Sequence, residues 1–379
     1  MVTAESKGDP VPSPSPIPSP WASHILTNSD GLIEHDQVHK HNSPREWMES
    51  IESLKGIHGA YTVLRCDIKT EVSDTDVVMD VEQELAHNVV EKVWGERFHL
   101  KRLKNSYEAM IGHEIEIDEE SISLALNQSK MMIRYLQSEA CNNLTTMKTR
   151  NDVEKVKVVM ITLLWQSCTN DDRILVRSHA FSTNTPSTSM DYEPDPVTAA
   201  VALSQDDTST STSARNCNLS LPARHDGIPR AKVSSWCRLR RPLEEDFKTQ
   251  DVSEVLLTKP FNSDWELLEG LTSNLFVVYK DGSIRTTNDS VLEGYARNLF
   301  IEAAKRHGLN IIHDPILLSD AKHGLWSEAF VTSSIRLAIP LSKMILGDEV
   351  WTEAPLEGLT WKTRRWKLLY DDIINNKEL

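Results

Sequence analysis

The sequence of 379 residues lacks several features that mark common classes of protein. Its five cysteines are widely spaced and form no CxxC pair, which argues against structural disulfides and zinc sites and favours a reducing compartment. No apolar run approaches the length of a membrane span. The N-terminus has no apolar signal core, and Glu5 and Asp9 argue against an acid-poor transit peptide. These absences predict a cytoplasmic protein with no metal site and no membrane partner.

The chain also lacks an excess of basic residues. It has 41 Lys and Arg against 56 Asp and Glu, a formal net charge of −15. This charge argues against non-specific nucleic-acid binding, although a local basic pocket for an anionic ligand is compatible with it. A hydrophobic content of 39% suits a soluble chain with real cores, and the length allows two domains and a tail.

Shifts in composition predict three parts. Residues 1–55 include the Pro- and Ser-rich run from Pro10 to Pro20 and are predicted to be a tail without regular structure. Residues 56–185 are predicted to be a first α/β domain and residues 186–379 a second domain. The boundary is placed in the polar tract Ser182–Ser189.

Alternating and apolar runs predict the elements of both domains. In the first domain the predicted strands are 59–66, 156–165 and 173–180, and the predicted helices are 97–110 and 120–137. In the second, strands are predicted at 197–203, 252–257, 275–279, 283–287, 309–312 and 326–339, with a hairpin turn at Asp281-Gly282 and helices over 232–244 and 293–306. This mixture lacks strict βαβ repetition and does not indicate a doubly wound parallel sheet.

The stretch Glu269–Phe276 is the most informative part of the sequence. It places a carboxylate, a glycine, two hydroxyls and an amide where a predicted strand begins. Polar groups packed so closely at the end of a strand are costly unless they face water or a ligand. The stretch therefore predicts a ligand site but not which ligand.

Four further features are ambiguous one by one. Lys232 alone is typical of an ordinary surface lysine, and Arg102 is either a solvated arginine or a phosphate clamp. The segment from Glu293 to Ala296 is either a turn or a helix N-terminus that binds an anion. The hydroxyls of Thr332-Ser333-Ser334 either satisfy the backbone or bind a ligand.

Taken together and in this order, these motifs resemble the class IV aminotransferases, the fold-type IV pyridoxal-phosphate enzymes. The resemblance spans roughly Gly59 to Pro340. It is carried by the helix motif His99-Leu-Lys-Arg102-Leu103, by a lysine 37 residues before the glutamate (269 − 232), by Glu269-Gly-x-x-x-Asn274-x-Phe276, by Leu292-x-Gly294-x-x-Arg297 and by the late hydroxyls Ser333 and Ser334.

The resemblance implies pyridoxal 5'-phosphate as cofactor and a role for each matching residue. Lys232 would form the Schiff base with the cofactor and act as the catalytic base, and Glu269 would face the pyridine nitrogen. The cofactor-binding residues would be Arg102, Glu269, Asn274, Gly294, Tyr295, Ala296, Ser333 and Ser334. It also implies an α/β (α+β) fold with a smaller N-terminal α/β domain, a larger barrel-like C-terminal domain, the cofactor between them, and a homodimer.

The sequence departs from the family at one position of note. Branched-chain aminotransferases place a tyrosine shortly after the lysine, where this chain has Trp236 and Cys237. Three activities therefore stay open: an aminotransferase acting on an amino acid and a 2-oxo acid, a lyase of the aminodeoxychorismate type, and a non-catalytic scaffold that keeps the fold. The retained Lys232, Glu269 and Arg102 argue against the scaffold, and specificity lies in loops that the motifs do not reach.

Overall fold

The structure, a computed structural model, describes ten segments of the chain. They are residues 23–29, 32–34, 59–70, 89–115, 156–166, 174–183, 196–203, 228–347, 349–353 and 365–376. The predicted helix over 120–137 lies outside them. The described strands form one sheet of six strands and one of ten, with helices packed against both.

The first sheet contains β1 (Ser23–Ser29), β2 (Leu32–Glu34), β3 (Gly59–Thr70), β4 (Val89–Val93), β5 (Val156–Gln166) and β6 (Ile174–Thr183), in the order β2-β1-β6-β5-β3-β4. Its pairings are antiparallel, and β3 lies beside β5 from Gly59 opposite Trp165 to Ile68 opposite Val156. Helix α1 (Glu96–Ile111) packs against β3 and buries Leu100, Leu103 and Tyr107. The three predicted strands of this region and its helix over 97–110 are thus present.

Strands β1 and β2 correct one prediction. They lie inside 1–55, which was predicted to be a tail without regular structure. Composition misses them because β1 gains its order from a partner far along the chain, pairing antiparallel with β6 from Ser23 opposite Phe181 to Asn28 opposite Val176. The Pro-rich run 10–20 lies outside the described residues.

The second sheet closes on itself. Its strands are β7 (Val197–Ala202), β8 (Val252–Phe261), β9 (Asp264–Gly270), β10 (Asn274–Tyr279), β11 (Ile284–Arg285), β12 (Ile311–Ile312), β13 (Ile316–Leu317), β14 (Trp326–Ser333), β15 (Leu337–Leu346) and β16 (Glu349–Glu353). The path β10-β14-β15-β7-β8-β9 returns to β10 through the pair Asn274 and Glu269, and β7 runs parallel to both of its neighbours. This closed ring confirms the barrel-like second domain. The proposed boundary at 185/186 falls between the last strand of the first sheet and the first strand of the second.

Strand β10 shows why the barrel strands are continuous apolar runs in the sequence. Its alternate residues Leu275, Val277 and Tyr279 belong to one buried cluster, with Leu256 and Val331. Phe276 and Val278 belong to another, against helices α4 (Tyr295–Arg306) and α6 (Arg365–Asn375). The short helix α5 (Leu318–Lys322) lies between these two in the chain. Because both faces are covered, an alternation of apolar and polar residues is not needed.

Two more helices cover the outer face of β7 and β8. They are α2 (Ser235–Leu239) and α3 (Arg241–Phe247), and Trp236, Leu243 and Phe247 pack against Val255 and its neighbours. The predicted helix over 232–244 is therefore two short helices that begin after Lys232. Arg240 separates them, and Pro242 occupies the first turn of α3.

The predicted strand 326–339 is wrong in one respect: it is two antiparallel strands, β14 and β15, joined by a tight turn at residues 334–336. Leu337 has φ 59°, a conformation rare for a branched residue, and Pro340, predicted as the end of the strand, lies inside β15. Apolar residues lie on both sides of the turn, so the pattern of hydrophobicity predicts one continuous strand. The hairpin turn at Asp281-Gly282 is confirmed, with β10 and β11 antiparallel and Gly282 at φ 94°.

The two sheets meet at the start of β3 and at the turn between β14 and β15. Gly59 N donates a hydrogen bond to Ser234 Oγ at 3.2 Å, and Ser234 N donates one to Gly59 O at 2.7 Å. Arg65, buried in β3, donates from Nη1 to Ile335 O at 3.1 Å while Asp67 holds the rest of its guanidinium. These bonds fix the N-terminal sheet against the loops that carry the predicted site.

Candidate active site

Lys232 is held by its backbone between the two sheets. Its N–H donates to Ser106 Oγ on α1 at 3.1 Å, and its carbonyl accepts from Tyr61 N on β3 at 2.8 Å. The residue is partly buried, with Nζ 4.8 Å from the centroid of the Tyr61 ring. The ammonium group thus lies where the N-terminal domain contacts the barrel.

The surroundings of Lys232 lower the pKa of its side-chain amine. Burial, with repulsion from Arg102 and Arg240, lowers its pKa to about 7 from an ordinary value of 10.5. A large fraction of the amine is therefore neutral near neutral pH. A neutral, partly buried amine is the form that attacks a carbonyl or removes a proton from carbon.

Arg102 lies beside Lys232 and is bound from two sides. On the side of the N-terminal sheet its Nη2 donates to Thr62 Oγ1 at 3.0 Å and lies 3.2 Å from His99 Nδ1. On the other side Nη1 donates to Glu293 O at 3.2 Å. Burial lowers the pKa of Arg102 to about 10, so it stays protonated at neutral pH.

His99 is fully buried one turn before Arg102 and lies 2.8 Å from Thr62 Oγ1 through Nδ1. Burial, with repulsion from Arg102 and Lys232, lowers its pKa well below 6.5, so the ring is neutral. Among the described residues, His99 Nε2 and Arg102 Nε are buried without a hydrogen-bond partner. These two atoms are open donors or acceptors next to the lysine.

The start of α4 faces this pair. Tyr295, its first residue, packs on His99 with ring centroids 5.1 Å apart and on Phe98 at 5.5 Å. Gly95 makes room for it, since a Cβ there would come within 2.2 Å of the Tyr295 ring. The first-turn amides of Tyr295 and Ala296 therefore begin a helix beside a buried arginine, which favours an anion.

Glu269 is buried at the end of β9, opposite Asn274 at the start of β10. Its Oε2 accepts a hydrogen bond from Asn274 Nδ2 at 2.8 Å and another from Leu292 N at 3.0 Å. The same Asn274 nitrogen donates to Leu292 O at 2.7 Å. These bonds fix the carboxylate on the loop that leads to Gly294 and α4.

Gly294 allows a close approach at this point. A Cβ at residue 294 would lie 2.1 Å from Asn274 Oδ1. A side chain there would displace the amide that orients Glu269. The requirement for glycine is steric, since its φ of −73° is open to any residue.

Ser333 and Ser334 lie at the turn after β14, both partly buried. Thr332, just before them, pairs with Asn274, so the turn leaves the sheet at the same end as Asn274. Ser333 Oγ accepts a hydrogen bond from Arg336 N at 3.3 Å, which stabilises the turn.

Hydrogen bonds join only part of the predicted set. Glu269 and Asn274 bind each other and the Leu292 backbone, and Arg102 binds the carbonyl of Glu293 next to Gly294. Trp236 joins the lysine segment to the network, because its Nε1 donates to Leu271 O at 2.9 Å inside the stretch 269–276.

Sequence reasoning missed three residues of this site: Tyr61, Thr62 and Arg240. Tyr61 and Thr62 carried only a strand signal, since their partners are 171 and 37 residues away (232 − 61; 99 − 62). Leu292 belonged to the predicted motif Leu292-x-Gly294-x-x-Arg297, but the contacts of its backbone with Glu269 and Asn274 were not predicted. Arg240 stood in a basic segment that is typical of a solvated helix face.

Comparison of the sequence with models of protein families shows the family of this chain. The family described as "Amino-transferase class IV" matches residues 89–344, about two thirds of the chain. The chain belongs to the class IV aminotransferases. Class IV aminotransferases use pyridoxal 5'-phosphate, which confirms the predicted cofactor. Membership supports an aminotransferase and does not favour the lyase and scaffold alternatives.

Solved structures agree with this fold at low sequence identity. The chain is similar to the hypothetical aminotransferase from Mycobacterium tuberculosis in its alpha-ketoglutarate and PMP bound form, at 14% identity and a TM-score of 0.55, covering 93% of this chain and 98% of that one. It is similar to the fold IV-transaminase from Curtobacterium pusillum at 14% identity and a TM-score of 0.52, covering 94% and 97%. A third is branched-chain aminotransferase from Thermoproteus uzoniensis with norvaline, at 16% identity and a TM-score of 0.52, covering 94% of each chain. No curated protein matches the chain.

The site of this class IV aminotransferase fits its cofactor chemically. It offers an amine of lowered pKa, an oriented buried carboxylate, and an arginine beside a helix N-terminus. The buried Arg102 Nε and His99 Nε2 still lack partners among the described residues. No group of His, Cys, Asp and Glu in the described segments could hold a metal ion, and no helix there is long and apolar enough to cross a membrane.

Proposed function

We propose that this aminotransferase works through Lys232, with Glu269 and Arg102 at opposite ends of the cofactor. The observation that supports this most strongly is the placement of Lys232, whose backbone is fixed by Tyr61 and Ser106 and whose pKa falls to about 7. When the cofactor is bound, the neutral Nζ would hold its aldehyde carbon, with water as the leaving group. Once the substrate amine has displaced it, the Lys232 amine would be the base that accepts the proton from the substrate Cα and holds it for the later protonation step.

Glu269 would keep the pyridine nitrogen of the cofactor protonated. A protonated ring is the electron sink that pyridoxal phosphate supplies when bound. Asn274 Nδ2 and Leu292 N donate to Glu269 Oε2, so the side chain is held in one orientation. Its preset orientation means that little reorganisation accompanies the reaction.

The phosphate end would be held by Arg102, the amides of Tyr295 and Ala296, and the hydroxyls of Ser333 and Ser334. Arg102 supports this because it is protonated, buried and already bound to the Glu293 carbonyl at the entry of α4. A guanidinium beside a helix N-terminus suits a dianion. Neutral His99 supports the arginine without adding a competing charge.

The substrates would be an amino acid and a 2-oxo acid. Relatives of similar fold support this, since their structures hold alpha-ketoglutarate or norvaline. We also infer a homodimer in the cytoplasm, supported by the family resemblance and by the buried free thiol of Cys237, which needs no oxidising compartment. Gel filtration of the purified protein tests the dimer, and a fully active monomer would exclude it.

A half-reaction screen tests the function. The protein loaded with pyridoxal phosphate is mixed with single L- and D-amino acids and with aminodeoxychorismate, and loss of the visible absorbance is recorded. At least one amino acid should discharge the colour and yield its 2-oxo acid, and Lys232→Ala should never develop it. Lys248→Ala and Lys259→Ala, which remove the lysines between Lys232 and Glu269, serve as controls and should behave as wild type. Pyruvate release from aminodeoxychorismate alone would instead favour the lyase.

A further inference from the structure

Arg240 is a largely buried cation to which the proposed function gives no role in binding a ligand. It lies between α2 and α3 in helical conformation, and its N–H donates to Trp236 O at 3.1 Å. Its side chain is only 13% exposed. The short helices that follow Lys232 therefore turn this arginine inward, whereas Arg238, two residues before it, is exposed.

The guanidinium of Arg240 has spare donors. Its Nε lies 3.3 Å from Glu244 Oε1, an ion pair one helical turn apart, yet Nε is buried without a hydrogen bond. Within the described segments no acceptor takes a hydrogen bond from any nitrogen of this side chain. Arg102, Arg285 and Arg297 also have a buried Nε without a partner, but each of them donates a hydrogen bond from a terminal guanidinium nitrogen to a protein oxygen. Arg240 differs from these three arginines in that respect.

The surroundings of Arg240 point to the lysine. Its charge acts on Lys232 and on Tyr61, whose ring lies under Lys232 Nζ and whose hydroxyl hydrogen-bonds to Cys237. Burial disfavours the charged form of Arg240, but the Glu244 carboxylate stabilises it, and the pKa of Arg240 is raised above its usual value. Cys237, the partner of the Tyr61 hydroxyl, lies three residues before Arg240, and the centroid of the Tyr61 ring lies 4.8 Å from Lys232 Nζ.

We propose that Arg240 is a further ligand-binding residue of this site, which binds an oxyanion beside Lys232 Nζ. The inference rests on the proposed function of Lys232. The oxyanion has two sources of the same chemistry: the phenolate oxygen of the cofactor and the carboxylate of the substrate. Either would fill the guanidinium donors that the protein leaves open, and Glu244 alone does not fill them.

Binding measurements on Arg240→Gln test the proposal, with the exposed Arg238→Gln, two residues earlier in α2, as the matched control. One arm titrates apoprotein with pyridoxal phosphate and with its 3-O-methyl ether, which has no phenolate, and follows absorbance. The other titrates the pyridoxamine-phosphate form with 2-oxoglutarate and with 4-methyl-2-oxopentanoate. Loss of a charge-assisted contact should weaken binding about 10- to 100-fold in the arm that holds the oxyanion.

The arms separate the sources. If the phenolate is bound, Arg240→Gln weakens pyridoxal phosphate but not its methyl ether; if the carboxylate is bound, it weakens the 2-oxo acids and spares the cofactor. The proposal is overturned if Arg240→Gln has the same affinities as Arg238→Gln in both arms. It is also overturned if Arg240→Gln binds pyridoxal phosphate and its 3-O-methyl ether equally weakly and binds the 2-oxo acids as wild type does.

Separate controls test whether the variants fold and whether the proposed function of Lys232 is right. The double variant Arg240→Gln/Glu244→Gln removes both charges of the pair, and it should show the same selective loss with a wild-type thermal melt. Arg240→Lys should recover part of the affinity. If wild type and Arg238→Gln themselves bind no pyridoxal phosphate, the proposed function of Lys232 fails before Arg240 is at issue.

Discussion

Asn274 Nδ2 lies 2.8 Å from Glu269 Oε2, across the point where β9 and β10 close the barrel. Asn274 therefore closes the barrel through its backbone pairing and orients the buried carboxylate through its side-chain amide. In the same stretch Ser273 Oγ donates to Glu254 Oε2 at 2.7 Å, whereas Thr272 is exposed. Fold and site share the same few residues.

Replacing Glu269 with glutamine should distinguish the effect of the side chain's orientation from the effect of its negative charge on amino-group transfer. Glu269→Gln keeps an acceptor for Leu292 N but removes the negative charge that would face the ring nitrogen. We expect cofactor affinity to stay within several-fold and the rate of amino-group transfer to fall on the order of 10²-fold. Single-turnover kinetics measures both. Glu266→Gln, a buried glutamate on the same strand that pairs with Lys259 at 3.0 Å, is the control and should keep its rate. An unchanged rate in Glu269→Gln would remove Glu269 from the ring nitrogen.

A methyl group at residue 294 should disturb the same network from its other side. In Gly294→Ala the new Cβ would lie 2.1 Å from Asn274 Oδ1, so the amide must rotate away from Glu269. We expect at least about tenfold weaker cofactor binding, with a stability loss of about 1–3 kcal/mol. Fluorescence titration and thermal melts give the two values. The neighbouring exposed side chain is removed by Glu293→Ala, which keeps the carbonyl that binds Arg102 and should bind as wild type. Equal binding by the two variants would contradict the steric account.

The sequence predicted the residues whose type is unusual for their place, and it missed those whose role is set by a distant partner. Glu269 and Asn274 stood out because polar groups crowd a strand end. Tyr61 and Thr62 did not stand out, because a strand that contributes to a site has the same residue pattern as a strand that only packs in a core. Their contacts also reach residues far along the chain. The barrel itself could not be derived from periodicity, since strands buried on both faces, such as β10, show no alternation. The split at 334–336 was missed for the same reason.

Arg102 should be selective for phosphate. In Arg102→Gln the charge at the start of α4 is lost, so pyridoxal phosphate should bind about 10- to 100-fold more weakly, while pyridoxal, which lacks the phosphate, should bind as it does to wild type. Equilibrium dialysis with both compounds measures this. Arg97→Gln, exposed on the same helix, is the control. A parallel loss of pyridoxal affinity would show that Arg102 supports the fold and does not bind phosphate.

The lowered pKa of Lys232 should appear in the stability of the apoprotein. In the folded chain the proton is lost near pH 7, whereas in the unfolded chain it is lost near the ordinary value of 10.5. The unfolded state therefore binds more protons between these values, and this group makes the folded state more stable as pH rises from 7 towards 10.5. Lys232→Met should be more stable than wild type at pH 7, and that advantage should shrink by about 2 kcal/mol at pH 9.

Denaturant unfolding at the two pH values measures that change. Lys101→Met, which removes an exposed lysine of α1, is the control and should differ from wild type by the same free energy at both values. An advantage of Lys232→Met that is independent of pH would show that the amine holds its proton as an ordinary lysine does.

Identification of the modified lysine tests the central claim most directly. Pyridoxal phosphate is bound to wild-type protein, fixed by borohydride reduction, and located by mass spectrometry of the digested chain. The structure predicts a single phosphopyridoxyl group on the peptide that contains Lys232, formed with a midpoint near pH 7 and absent from Lys232→Ala. A label on Lys248 or Lys259 instead, or a label that persists in Lys232→Ala, would contradict it.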